Sequence, residues 1–119
     1  MEDIQRKNLL FDYYGGLLTE KQRDCFSMHY LDDFSLAEIG EQSGITPQAV
    51  ADLLKRANIL LEKYEQKLGL VEKHNNQHML AGALYAQLSA MARAAKNEGM
   101  EGFLEIIENI RKNIDELVV

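Results

Sequence analysis

The sequence predicts an all-α protein of five to six helices: a helix-turn-helix part, a long helix carried out of it, and a C-terminal helical hairpin. Three observations predict this. Apolar residues recur at three- and four-residue intervals almost throughout, and alternation of period two is hard to find. The chain has one proline, so few positions are barred from helix. Side chains of the kind that start helices stand ahead of the strongest apolar stripes.

The first helix covers about Glu2 to Tyr14 and stops at Gly15-Gly16. The second begins after Thr19, where Thr19 and Gln22 form a capping box, and runs to about Tyr30. Asp32-Asp33 is a turn. The third starts at Ser35, with Glu38 completing another capping box and Phe34 and Ile39 placed as a hydrophobic staple. Ser43-Gly44 is a turn in which glycine is free to take positive φ. The fourth has Thr46 as N-cap and Pro47 at its first position, where a missing N–H costs nothing. Ile45 and Val50 make a further staple.

The fourth helix outruns the helix-turn-helix. Val50, Leu53, Leu54, Ala57, Leu61, Tyr64 and Leu68 hold one stripe as far as Gly69, a span of about 33 Å. Its second half is expected to pack on the C-terminal third. There a fifth helix, about Gln77 to Lys96, is apolar over most of its circumference, with Leu80, Leu84, Leu88, Met91 and Ala95 on one face. A sixth, about Met100 to Leu117, carries Phe103, Ile106, Ile107, Ile110, Ile114 and Leu117. Met79, Met91 and Met100 are expected to fill the core. The chain reads as one domain, 1–119, with a helix-turn-helix part at 1–70 and a C-terminal pair at 71–119 that serves dimerisation.

Composition narrows the chemistry. Thirteen Lys and Arg face nineteen Asp and Glu, a formal net charge of −6. The single cysteine, Cys25, leaves no internal disulfide and reads as a small core residue beside Phe26. The N-terminus lacks the layout of a signal peptide, and no apolar run approaches the length of a membrane span, so a cytoplasmic protein without membrane insertion is expected. No catalytic residues are assigned: no Ser/His/Asp set, paired acids or phosphate-binding glycine loop occurs. His74 and His78 have ligand-like spacing but no third or fourth partner nearby, so neither a metal nor another cofactor is expected.

The outward face of the fourth helix bears on function. A small residue, Gly40, stands where the two helices of the motif approach, and Gly44 follows four residues later. Opposite the buried stripe lie Gln48, Asp52, Lys55, Ile59 and Lys63, with Arg56 at the flank. A base-reading helix presents Arg, Lys, Asn or Gln near its N-terminus. Here that end offers Pro47, Gln48, Ala51 and Asp52. Gln48 is the one base-reading candidate; Lys55, Arg56, Lys21 and Arg23 are the phosphate-contact candidates, with Arg6 and Lys7 as additions. Residues 1–70 nevertheless hold 8 Lys and Arg against 12 Asp and Glu, a poor footprint for binding driven by counterion release.

The segments "LFDYY", "LLTEKQR", "YLDDFSLAEI" and "YEQKLGL", in this order across residues 8–73, resemble the YlxM family, small bacterial proteins whose helix-turn-helix is similar to region four of sigma factors. The resemblance continues more weakly into "LEIIENIRKNIDEL". It implies encoding beside the signal recognition particle GTPase, a part in that pathway through the GTPase or its RNA, and no enzymatic activity. The chain departs from the family pattern at Pro47, where an Arg is typical, and at Ala51, where an aromatic is typical. Two further functions stay open: a DNA-binding transcriptional regulator acting as a dimer, and a purely protein-binding helical adaptor. A homodimer is expected, joined through the last two helices and the far half of the fourth.

Overall fold

The structure, a computed structural model, describes residues 2–117, with side chains from Ile4 onward. Its six α-helices are α1 (Glu2–Tyr14), α2 (Glu20–Phe26), α3 (Leu36–Ser43), α4 (Pro47–Leu68), α5 (Leu70–Asn97) and α6 (Gly102–Leu117), and the described residues contain no strand. The chain divides into two compact units, Met1–Val71 and Glu72–Val119. No helix is long and apolar enough to cross a membrane among the described residues.

In the first unit, Leu10, Tyr14, Phe26, Ile39, Val50, Leu61 and Val71 form the centre of one core. The predicted stripe of α4 supplies much of it: Val50, Leu54, Ala57 and Leu61 are buried, Leu53 and Tyr64 half-buried, and only Leu68 stands out in solvent. Phe11 stacks on Phe26 at a centroid distance of 4.9 Å, and Phe26 meets Tyr30 at 4.5 Å, so α1 is locked onto α2 by aromatic contact.

Both capping boxes form. Thr19 Oγ1 accepts from the Gln22 N–H at 3.2 Å while Gln22 Oε1 accepts from the Thr19 N–H at 3.1 Å. Ser35 and Glu38 make the same reciprocal pair, both at 3.1 Å. Thr46 Oγ1 caps α4 by accepting from the Ala49 N–H, with Pro47 at the first helical position. Gly44 is left-handed at φ 71°, as the turn requires.

The second helix is shorter than its sequence suggests. After Phe26 the backbone widens into a π-helical turn, Ser27–Leu31. The Asp32 N–H donates to the Ser27 carbonyl at 3.1 Å and the Phe34 N–H to the Met28 carbonyl at 2.9 Å. His29 Nδ1 donates to the Phe34 carbonyl at 2.8 Å. The wider turn satisfies backbone groups while Asp33 reverses the chain at φ 61°.

A larger difference lies at α5, which begins at Leu70 rather than near Gln77. Gly69 ends α4 at φ 64°, its N–H donating to the Glu65 carbonyl at 2.8 Å, and the next helix starts at once. The cap of α5 is tertiary. The Leu70 N–H donates to the Tyr14 hydroxyl at 3.1 Å, that hydroxyl donates to Glu65 Oε1 at 2.6 Å, and the same oxygen accepts from the Val71 N–H at 2.9 Å. No local residue announces this start, and the polar stretch around His74-Asn75-Asn76 lies inside the helix.

Within the first unit, α1 packs along the far half of α4. Arg6 forks onto Glu62, with Nε–Oε1 at 2.9 Å and Nη2–Oε2 at 2.7 Å. Tyr14 meets Tyr64 at 6.0 Å between centroids.

In the second unit α5 and α6 form a hairpin. Gly99, at φ 72°, closes α5 in a Schellman turn: the Met100 N–H reaches the Ala95 carbonyl at 2.7 Å and the Gly99 N–H the Lys96 carbonyl at 3.3 Å. Ala81, Leu88, Ile107 and Ile114 are the buried cluster, with Tyr85 and Ala92 against it. The contact face is thus one edge of each predicted stripe, because two helices can cover only the sides they turn to each other. Met79, Met91 and Met100, expected to fill the core, are 75%, 56% and 45% exposed.

Gly44→Val is expected to cost about 1–3 kcal/mol from the left-handed backbone alone, and Gly40→Ala to be worse, since a Cβ there would sit 2.6 Å from the Ile45 carbonyl oxygen. Thermal melting checks both; an unshifted midpoint for Gly40→Ala contradicts the close approach. Glu65→Leu, which strands the Tyr14 hydroxyl and the Val71 N–H, is expected to cost on the order of 3 kcal/mol in urea unfolding, with Tyr14→Phe costing less. Arg6 holds the Glu62 carboxyl below its ordinary value of 4.5, chiefly through their hydrogen bonds. The stabilisation from that pair is therefore present above the unfolded value and is lost as pH falls through the lower folded one. Both side chains are about half exposed, so the loss is under about 1 kcal/mol; Arg6→Met should flatten the acid limb of stability against pH by that amount.

Candidate nucleic-acid interface

The face in question is built by the approach of α3 to α4. Gly40 is fully enclosed by the turn, and the Ile45 N–H donates to its carbonyl at 3.0 Å. Ile39 and Val50, both wholly buried, fix the two helices against each other. Thr46, Pro47 and the left-handed Gly44 then aim the first turns of α4 outward.

Gln48, Asp52, Lys55, Ile59 and Lys63 are exposed along that outward side, as their spacing predicts. Gln48 stands in the first turn with its amide in solvent, beside Pro47 and Ala51, which offer no side-chain donor. Arg56 Nε lies 3.0 Å from Asp52 Oδ2, an exposed i,i+4 pair. The pair is weak in water, so a phosphate can displace the carboxylate, yet it offsets the charge of one of the two α4 cations nearest the motif. Lys55 has no ion-pair partner among the described residues. Lys21, exposed, and Arg23, half-buried, lie on α2, which packs against α4. The four phosphate-contact candidates therefore occupy two neighbouring helices.

Arg6 and Lys7 do not join them. Arg6 is bound to Glu62, which raises its already high pKa through the shared hydrogen bonds. Lys7 Nζ donates to Asn58 Oδ1 at 3.0 Å and stands 4.8 Å from the centroid of the Tyr30 ring. Asn58 in turn donates to the Tyr30 hydroxyl at 3.1 Å and to the Leu54 carbonyl at 2.9 Å. Two cations of the acidic N-terminal part are thus used to bind α1 to α4.

The residues that sequence reasoning passed over are positioning ones: Tyr14, Asn58 and Glu65. Glu65 carried a signal, since it continues the buried line Val50, Leu54, Leu61 as its one charged member. Burial, followed by the hydrogen bond to Glu65, raises the Tyr14 hydroxyl above its ordinary 10.0. Cys25 is enclosed in the core, and burial pushes its thiol up, away from nucleophilic chemistry. His74 and His78 place their rings 4.2 Å apart, and among the described residues no group of three or more potential ligands gathers.

A family model described as "Putative helix-turn-helix protein, YlxM / p13 like" matches residues 1–100. A UPF0122 protein of Symbiobacterium thermophilum is 46% identical over 99 residues, spanning 79% of this chain and 92% of the relative. One from Listeria welshimeri is 43% identical over 109 residues, spanning 92% and 97%. One from Thermoanaerobacter sp. is 42% identical over 116 residues, spanning 98% and 97%. The chain belongs to the UPF0122 family of YlxM/p13-like helix-turn-helix proteins.

Proposed function

We propose that this protein is a non-enzymatic accessory factor of the signal recognition particle pathway, working as a homodimer in the cytoplasm through contact with that pathway's GTPase or RNA. One observation carries the proposal beyond the family resemblance. The helix-turn-helix frame is complete, but the end of α4 that would read bases bears Pro47 and Ala51, and its Asp52 pairs with Arg56. A frame whose base-reading end keeps Gln48 alone suits recognition of a structured RNA backbone or a protein surface better than sequence-specific DNA. The runner-up, a dimeric transcriptional regulator, is favoured by exposed Gln48 in the first turn of α4, where adenine is read in many such motifs. A purely protein-binding adaptor is the reading that net charge favours.

A pull-down from lysate with and without nuclease separates these. Co-purification of the GTPase that survives nuclease assigns the contact to protein; loss on nuclease assigns it to RNA; recovery of DNA alone overturns the pathway assignment.

For nucleic acid, Lys55→Ala with Arg56→Ala is expected to abolish retardation in a low-salt gel shift. Wild-type affinity should fall roughly a hundredfold between 50 and 200 mM salt if four cations contact phosphate. Unchanged binding in the double variant removes Lys55 and Arg56 from the interface.

A further inference from the structure

The α5–α6 hairpin is unequally finished on its two sides. Along one side polar bonds close the seam: Arg111 donates to Ser89 Oγ at 2.5 Å and the Tyr85 hydroxyl donates to Asp115. Along the other, the edges of both stripes stay open. Two apolar grooves lie between the helices on that side. One, about 260 Å³, runs past Met91, Phe103, Ile106 and Ile110 near the Gly99 turn; the second runs past Leu80, Leu84 and Leu117 toward the open end.

We propose that this face is the contact surface for a second copy of the chain, the two hairpins closing into a four-helix bundle. The assignment rests on the homodimer reading above and gives it a place. Three observations select a second copy as occupant. The first is core size. Among the described residues, five buried ones, two of them alanine, hold a two-helix unit of under fifty residues, which is below what such a unit needs to stand alone. A twofold mate contributes the same stripes again and yields the layered interior of a helical bundle. The second is area. Leu80 and Leu117 are 63% and 77% exposed, and Met91, Phe103 and Ile106 are each a little over half exposed. With Leu84 and Ile110 they present on the order of 700 Å² of apolar surface, close to the ~800 Å² per partner of a standard interface. The third is charge. A chain of net charge −6 repels its own copy, yet the linings of the two grooves contain one charged residue, Glu98, at the turn end. The charged residues of α6, Glu105, Glu108, Arg111, Lys112, Asp115 and Glu116, lie outside both linings. The face is apolar where self-contact requires it.

Sedimentation equilibrium of the full-length chain across micromolar concentrations tests the assignment. Wild type is expected at twice 13.6 kDa. Met91→Glu with Ile106→Glu is expected at 13.6 kDa with helicity retained by circular dichroism, since both side chains already stand in solvent in the single chain. Met79→Glu, on α5 but outside both grooves, is expected to stay dimeric. If the double variant loses helicity, Ile106→Gln alone decides: a dissociation constant raised tenfold or more supports the face, and an unchanged one overturns it. A wild-type dimer that survives the double substitution overturns this surface and leaves the homodimer standing. A wild type that is monomeric throughout overturns both, whatever else the face then binds.

Discussion

One buried carboxylate carries much of the first unit. Glu65 sits in the apolar line of α4, where a charge is costly unless hydrogen bonds meet it. They do: the Tyr14 hydroxyl reaches it from the end of α1, and the Val71 N–H from the start of α5. Tyr14 also takes the Leu70 N–H, so two side chains replace the local cap that α5 lacks. Three helices thereby meet at one oxygen. The extra length of α4 beyond its helix-turn-helix serves this junction, because Glu65 and Tyr64 lie in the part that a minimal recognition helix would not have.

Against that junction, the helix-turn-helix is specified almost independently of what it touches. Gly40, Gly44, Thr46 and the buried Ile39–Val50 contact define the angle between α3 and α4. Ile39, Gly40 and Val50 are buried, and Gly44 and Thr46 act through a left-handed turn and a helix cap. A handful of exposed side chains can therefore change without disturbing the frame. Arg6 and Lys7 serve as internal ties between α1 and α4. In a protein with more acids than bases, each cation spent on packing is one withdrawn from a phosphate.

The second unit follows a different logic. Its helices are long and its sequence strongly amphipathic, but two helices bury only the strips they turn to each other. What remains is an apolar face with polar bonds sealing the opposite side. The first unit gathers its buried apolar residues into one core, with α1 against α2 and α4, whereas the hairpin leaves much of both its stripes exposed.

The local code was legible without coordinates. Thr19–Gln22, Ser35–Glu38 and Thr46–Pro47 start their helices where the residue types require, and Gly44 and Gly69 end theirs in left-handed conformations. The stripe of α4 and the outward row from Gln48 to Lys63 were legible too, because helical geometry alone divides in from out. Tertiary structure decided what residues distant in sequence do to one another. The start of α5 depends on Tyr14, 56 residues away from Leu70, and so has no local signature. The destination of Arg6 and Lys7 depends on α4 lying across α1. Which edge of the α5 and α6 stripes is buried depends on the helices' mutual rotation, and that is a property of their packing rather than of either stripe.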